Sequence, residues 1–321
     1  MNMTKQTFEA AGVSAPAGER ASTVLKLSFA GAALHMPLFV LNGACEGPTV
    51  VITAGIHGSE YVGIETAYRF ALETDPRELR GQVVVAPICS MNAFARRSIY
   101  LCPPDDKNLN RMFPGKADGS FAEQLAYWIH RNLMLRADYY IDLHGGDMNE
   151  ALVPFSIIRS SGNADLDARS LALARAFGLP NIVRTTGNGQ TNSAAVANGI
   201  PSVLAEVGGQ GVWTEDQARY MGDGLRRAVA HAGVLPPLDD PAAPATRLIE
   251  SMVWMRSSHD GLFYPSVAVG DTVTQGQSLG RVSDFLGQTA ELLVAPASGV
   301  VLFLVTTLAM NNGDPLLAIG A

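Results

Sequence analysis

Cysteine is scarce in this chain of 321 residues: Cys45, Cys89 and Cys102 are an odd number with no C-x-x-C spacing. That argues against a disulfide framework and against a thiolate metal site, and it fits a reducing cytoplasm. Positive charge is short as well, with 23 Lys and Arg against 30 Asp and Glu, a formal net charge of −7. Nucleic acid and anionic membrane both demand a cationic surface, so neither is an expected partner. No apolar run reaches the ~18 residues of a membrane span. The opening stretch MNMTKQTFEAAGVSAPAGER carries no apolar h-region, so it does not read as a secretory signal. It reads as a flexible arm, 1–21.

What is present is core. Hydrophobic residues make up 47% and charged residues 17%, enough for one main domain with a smaller companion. From about 50 to 230, continuous apolar runs alternate with helical periodicity. TVVITAG (49–55), GQVVVAPI (81–88), ADYYIDLHGG (137–146) and IPSVLAEVGG (200–209) read as buried strands. Helices are expected after the first strand, over 121–134, over 164–178 with Gly178 as its stop, and over 214–233 with Thr214 as its N-cap. This alternation implies an α/β domain over 22–233 with a largely parallel sheet covered on both faces. A Pro-rich linker, 234–246, follows. Beyond it, 247–321 holds short strands punctuated by Gly and Pro with no helical period, a small all-β domain.

Chemistry-bearing residues gather where the apolar strands give way to turns. His57 and Glu60 follow the first strand, His144 ends the third, and Glu206 ends the last. Such strand ends are where ligands bind in open α/β sheets. Two imidazoles and a carboxylate suit Zn²⁺ and leave a fourth position for water, whose pKa the metal lowers toward ~7. His57, Glu60 and His144 are the candidate ligands of one zinc per chain. Glu206 is the candidate general base. Asp142 shares a strand face with His144 and is placed to orient its ring. The two glycines after His144 are expected to make room for a ligand. In KNLNRMFPG (107–115), Asn110 and Arg111 offer fork-like donors for a carboxylate. Arg96 or Arg97 could supply a cation near a developing oxyanion.

Taken in order and spacing, AGIHGSE, KNLNRMFPG, DLHGG and AEVGG resemble the succinylglutamate desuccinylase/aspartoacylase family, a branch of the zinc-carboxypeptidase-like fold. The resemblance runs from about residue 22 to 321. It implies zinc at His57, Glu60 and His144, a general base at Glu206 and substrate carboxylate binding at Asn110 and Arg111. By the spacing to Y-x-x-P, it favours Arg97 over Arg96 as the group that polarises the scissile carbonyl. The C-terminal part resembles a biotinyl/lipoyl barrel-sandwich. A carrier role is excluded because the last lysine of the chain is Lys116; a lid, a groove wall or a contact in a homo-oligomer is expected instead.

The implied activity is a cytoplasmic zinc amidohydrolase that removes a small acyl group from an N-acyl amino acid. A peptide-cleaving metallocarboxypeptidase and a non-catalytic binding protein on the same fold are the alternatives. Residues 185–205 carry no charge, which speaks against a second substrate carboxylate. Asp147 and Glu150 could pair with a substrate ammonium. The family also contains deacetylases of N-acetylated diamino acids, and these are the nearest in character.

Overall fold

A computed structural model describes residues 5–237 and 245–321. Residues 1–4 of the expected arm and 238–244 of the expected linker lie outside the described residues. The centre is a nine-stranded sheet. Its strands run in the order Arg247–Ile249, Asn181–Thr185, Phe155–Arg159, Ser202–Glu206, Tyr139–His144, Cys45–Ala54, Arg80–Ala86, Ala32–Asn42 and Glu19–Phe29. Five of the eight neighbouring pairs are parallel and three antiparallel, so the sheet is mixed and largely parallel.

The strand-forming runs are apolar throughout because both of their faces are covered. Val50, Ile52 and Ala54 point into one core, shared with helices Tyr61–Glu73, Ala164–Phe177 and Glu215–His231. Val51 points the other way, into a core shared with helix Phe121–Asn132 and the short helix Thr191–Ala197. Successive strand residues face opposite sides, so one uninterrupted run feeds two cores. The helix ends follow local chemistry. Asn163 Oδ1 accepts from the Asp165 and Leu166 amides, and Thr214 Oγ1 accepts from the Gln217 amide. Gly178 stops its helix at φ 83°, a left-handed conformation suited to glycine.

The C-terminal region is two sheets around one core. Four strands (Thr289–Val294, Ser278–Ser283, Gly261–Pro265 and Ala309–Met310) face a five-stranded sheet. Phe263, Val282 and Leu293 from the first meet Val301, Leu317 and Ile319 from the second.

Two strands cross the boundaries expected from sequence. Arg247–Ile249 adds an edge strand to the main sheet beside Asn181–Thr185. Glu150–Leu152 leaves the main domain and pairs with Gly299–Val305 of the C-terminal sheet. The loose arm is also corrected in part. Phe8–Ala10 and Val13–Ala15 form a hairpin, and Ala10, Val13 and Ala15 are buried in the second core. Their side chains share that core with Leu34 and Met36 of the main sheet.

Candidate active site

Parallel pairing fixes the site before any side chain is considered. Leu143 pairs with Ala54 and His144 with Glu206, so three adjacent strands end level at one edge of the sheet. The chain leaves the first of these strands through a turn carrying His57. Glu60 stands at the N-cap position of the helix that follows, its side chain turned to the histidines instead of the helix amides. His57, Glu60 and His144 thereby converge, with one ligand-type atom from each within 4.8 Å of the others.

The hydrogen bonds around the group define its chemistry. His57 Nδ1 lies 2.7 Å from Glu60 Oε1, and His144 Nδ1 lies 2.8 Å from Glu60 Oε2. The outer nitrogens are occupied: His144 Nε2 is 2.8 Å from Asp142 Oδ2, and His57 Nε2 is 3.0 Å from Asn108 Oδ1. An ionised carboxylate only accepts, so each His144 nitrogen facing one must carry a proton or a cation. With a proton on Nε2 toward Asp142, Nδ1 toward Glu60 is the atom a metal would take. A lone pair facing a carboxylate at 2.8 Å is repulsive unless a proton or a cation lies between them. Burial disfavours a charged imidazole at His144, but Asp142 and Glu60 outweigh it and raise its pKa well above the ordinary value. Burial likewise opposes charge on Glu60, yet His57 and His144 hold its pKa low. The group thus attracts positive charge, and its donor set fits a divalent ion such as zinc.

Asp142 is fully buried and saturated. Besides His144 it accepts from Thr53 Oγ1 at 2.6 Å and from Thr191 Oγ1. Thr191 has a second task, because its amide donates to Asn110 Oδ1 at 2.9 Å. A backbone N–H can only donate, so the Asn110 side-chain oxygen is fixed there and its amide nitrogen is the end left for the chamber. One residue at the start of a short helix therefore ties the orienting carboxylate to the Asn-Arg motif.

His57, Glu60, His144, Glu206, Asn110 and Arg111 all line one chamber of about 130 Å³. The Glu206 Oε2 atom is buried there without a hydrogen-bond partner. Burial raises its pKa well above the ordinary carboxylate range, with His144 opposing and Glu60 and Glu150 adding to the rise. The chamber opens into an outer cavity of about 630 Å³. Trp254, Phe303 and Met252, all from the C-terminal strands, line both spaces.

Three sequence readings change. Arg97 is exposed at the end of helix Met91–Arg96, with φ 54°, and does not line the chamber. Here its side chain is not brought to the site. The glycine reading changes in part: Gly145 does line the chamber, but both glycines also answer to close backbone neighbours. A Cβ on Gly145 would lie 2.5 Å from the Val207 carbonyl oxygen, and one on Gly146 would lie 2.6 Å from that of Glu150. Asp147 is buried with both oxygens occupied, Oδ2 by the Tyr100 amide at 2.7 Å and Oδ1 by the Met148 amide. It anchors the loop before the Asn-Arg motif rather than facing substrate. Asn108, Thr53 and Thr191 were missed. Asn108 stood inside a motif already singled out, two residues before Asn110, but nothing local tied it to His57.

A mixed sheet with this group at its strand ends, and a carboxylate beside it on the neighbouring strand end, is the arrangement of the carboxypeptidase-like fold class. Comparison narrows the class. Residues 46–232 match the profile of the succinylglutamate desuccinylase/aspartoacylase catalytic domain, and the chain belongs to that family. A relative from Halomonas elongata, N-alpha-acetyl-L-2,4-diaminobutyric acid deacetylase, is 32% identical over 260 residues, 78% of this chain and 75% of the relative. The product-bound ectoine utilization protein EutE (DoeB) from Ruegeria pomeroyi superposes with a TM-score of 0.85 at 26% identity, covering 100% of this chain and 97% of that one. The succinylglutamate desuccinylase/aspartoacylase from Rhodobacter sphaeroides gives 0.83 at 25% identity, covering 94% of each chain.

Proposed function

We propose that the chain is a zinc-dependent deacylase that hydrolyses the amide bond of a small N-acyl amino acid. The observation that carries this reading is the buried, unpartnered Glu206 oxygen in the same small chamber as the His57, Glu60 and His144 group, on the strand end next to His144. When bound by those three residues, zinc supplies Lewis acidity and a nucleophilic water at neutral pH. Glu206 takes the proton from the attacking water and delivers it to the leaving amine. Ionised, Glu206 can accept that proton and, once protonated, return it. Asp142 holds the His144 ring in one tautomer. The Arg111 guanidinium and the Asn110 amide nitrogen hold a substrate carboxylate.

The wall of Trp254 and Phe303 argues for small substrates. A peptide chain needs an open groove, and these aromatic side chains wall both the chamber and the outer cavity. The diaminobutyrate deacetylase relative points to an N-acetylated diamino acid as the specific class. Charge in the outer cavity is not the simple argument that the uncharged 185–205 stretch suggests. Arg184 and Arg256 both line that cavity, although Arg184 pairs with Glu250 at 3.0 Å. The test is kinetic. Zinc-loaded protein should hydrolyse Nα-acetyl-2,4-diaminobutyrate at least about tenfold better in kcat/KM than N-acetylaspartate, the ratio expected from one charge-assisted contact. Faster hydrolysis of N-acetylaspartate would overturn the substrate class while leaving the hydrolase reading in place.

A further inference from the structure

The lining of the inner chamber is unbalanced. Glu60, Glu150 and Glu206 face it, but Arg111 is its one guanidinium. With all three carboxyls ionised, the form a neighbouring cation favours, a dication held by His57, Glu60 and His144 brings that sum to zero. A substrate carboxylate on Arg111 then leaves one negative charge uncompensated, and a buried charge left unpaired is strongly unfavourable. Glu60 belongs to the ligand group and Glu206 to proton transfer. Glu150 has no assigned task.

Its geometry is that of a built subsite. Glu150 is buried at 9% exposure and lines both the inner chamber and the outer cavity, so it stands at the junction of the two. One oxygen, Oε2, accepts from the Asp147 amide at 2.8 Å and holds the carboxyl in place. Among the described residues, nothing donates a hydrogen bond to Oε1. The backbone beneath it is fixed from both sides, by pairing with Val305 and by the Gln210 amide donating to the Glu150 carbonyl at 3.0 Å. Burial pushes the Glu150 carboxyl up to about 7, the condition of a carboxylate that has lost water and gained no cation. Asp147, its acidic neighbour, is excluded from the same task because both its oxygens are held by backbone amides.

We propose that Glu150 is the specificity-determining residue for a primary ammonium on the substrate side chain, with Oε1 as its acceptor. This rests on the deacylase reading and deepens it. The substrate class that follows is an N-acyl amino acid bearing a free second amine. The Arg111 guanidinium binds its carboxylate, and Glu150 binds its ammonium at the mouth of the chamber.

Two substrates of equal size decide the matter: Nα-acetyl-2,4-diaminobutyrate and Nα-acetyl-2-aminopentanoate, in which a methyl group replaces the ammonium. Wild-type zinc-loaded protein should favour the first by about tenfold or more in kcat/KM. Glu150→Gln should lower that ratio by tenfold or more, and Glu150→Asp should retain part of it. A purely structural defect would lower both rates together and leave the ratio unchanged, and that result would overturn the proposal. Equal rates on the two substrates in the wild type would also overturn it, with or without a folded Gln variant. Calorimetry on the free amines 2,4-diaminobutyrate and 2-aminopentanoate separates the two readings. Preferential binding of the first that Glu150→Gln abolishes, without hydrolysis of any N-acyl amino acid, would sustain the subsite and sink the deacylase reading. Absence of both binding preference and hydrolysis would sink both.

Discussion

The floor and the wall of the chamber are built by opposite means. On the floor, polar atoms are already engaged: Asp142 takes three donors, both outer imidazole nitrogens have partners, and Glu60 bridges the two rings. On the wall, Arg111, Glu150, Arg256 and Trp254 come from three separate stretches of chain and leave polar or aromatic faces open. Chemistry needs donors that do not reorganise during reaction. Selection needs contacts that the substrate itself completes. The difference teaches which residues set a rate and which set a preference.

That division can be broken by mutation. The largest effect is expected on the floor. His144→Ala removes a ligand and strands Asp142, so zinc retained after dialysis should fall from about one per chain to nearly none; full retention would remove His144 from the site. Next comes Glu206→Gln, which should keep zinc and fold while lowering kcat by about 10²–10⁴. A near wild-type rate would make Glu206 structural. Asp142→Asn should weaken zinc affinity by roughly 10–100-fold, the usual cost of losing a carboxylate behind a ligand histidine, read by competition with a chelator. On the wall, Arg111→Ala should lower kcat/KM by about ten- to a hundredfold through KM, since a charge-assisted hydrogen bond contributes about 1.5–3 kcal/mol. A fall in kcat alone would move Arg111 from the wall to the floor. The smallest effect belongs to Arg97→Ala. An exposed residue away from the chamber should change kcat/KM no more than about twofold. A hundredfold loss would mean that the 97–106 loop reaches the chamber during turnover.

Much of the floor was legible in the sequence, and the wall was not. A buried strand announces itself as a continuous apolar run, so Val50 to Ala54 and Tyr140 to Leu143 could be placed without a structure. Parallel strands end at one edge, so a charged residue after each run points to a shared crevice. Phe155–Arg159 and Thr191–Ala197 escaped notice because five and seven residues are too few to establish a period. The bond from Asn108 to His57 spans 51 positions, and that from Thr191 to Asn110 spans 81. No local pattern encodes such pairs. Trp254 and Phe303 carry no chemical motif, and only the folded C-terminal sheet brings them over the site. Asp147 shows the converse error, since an acidic residue beside a ligand histidine reads as functional until both oxygens are seen engaged by backbone.

Strand Glu150–Leu152 has a consequence for anyone who would take the protein apart. The Pro-rich stretch invites a cut after residue 237, as though a catalytic unit could be shed from a removable C-terminal module. The three residues that pair with Gly299–Val305 stay with the first piece, while their partner strand leaves with the second. Truncation would bare a row of backbone hydrogen-bonding groups on each piece, the kind of raw edge that promotes aggregation. It would also unmoor Glu150 and remove Trp254 and Phe303. What survived would at best be a hydrolase with its preference erased. The two parts are separate in sequence and inseparable in construction.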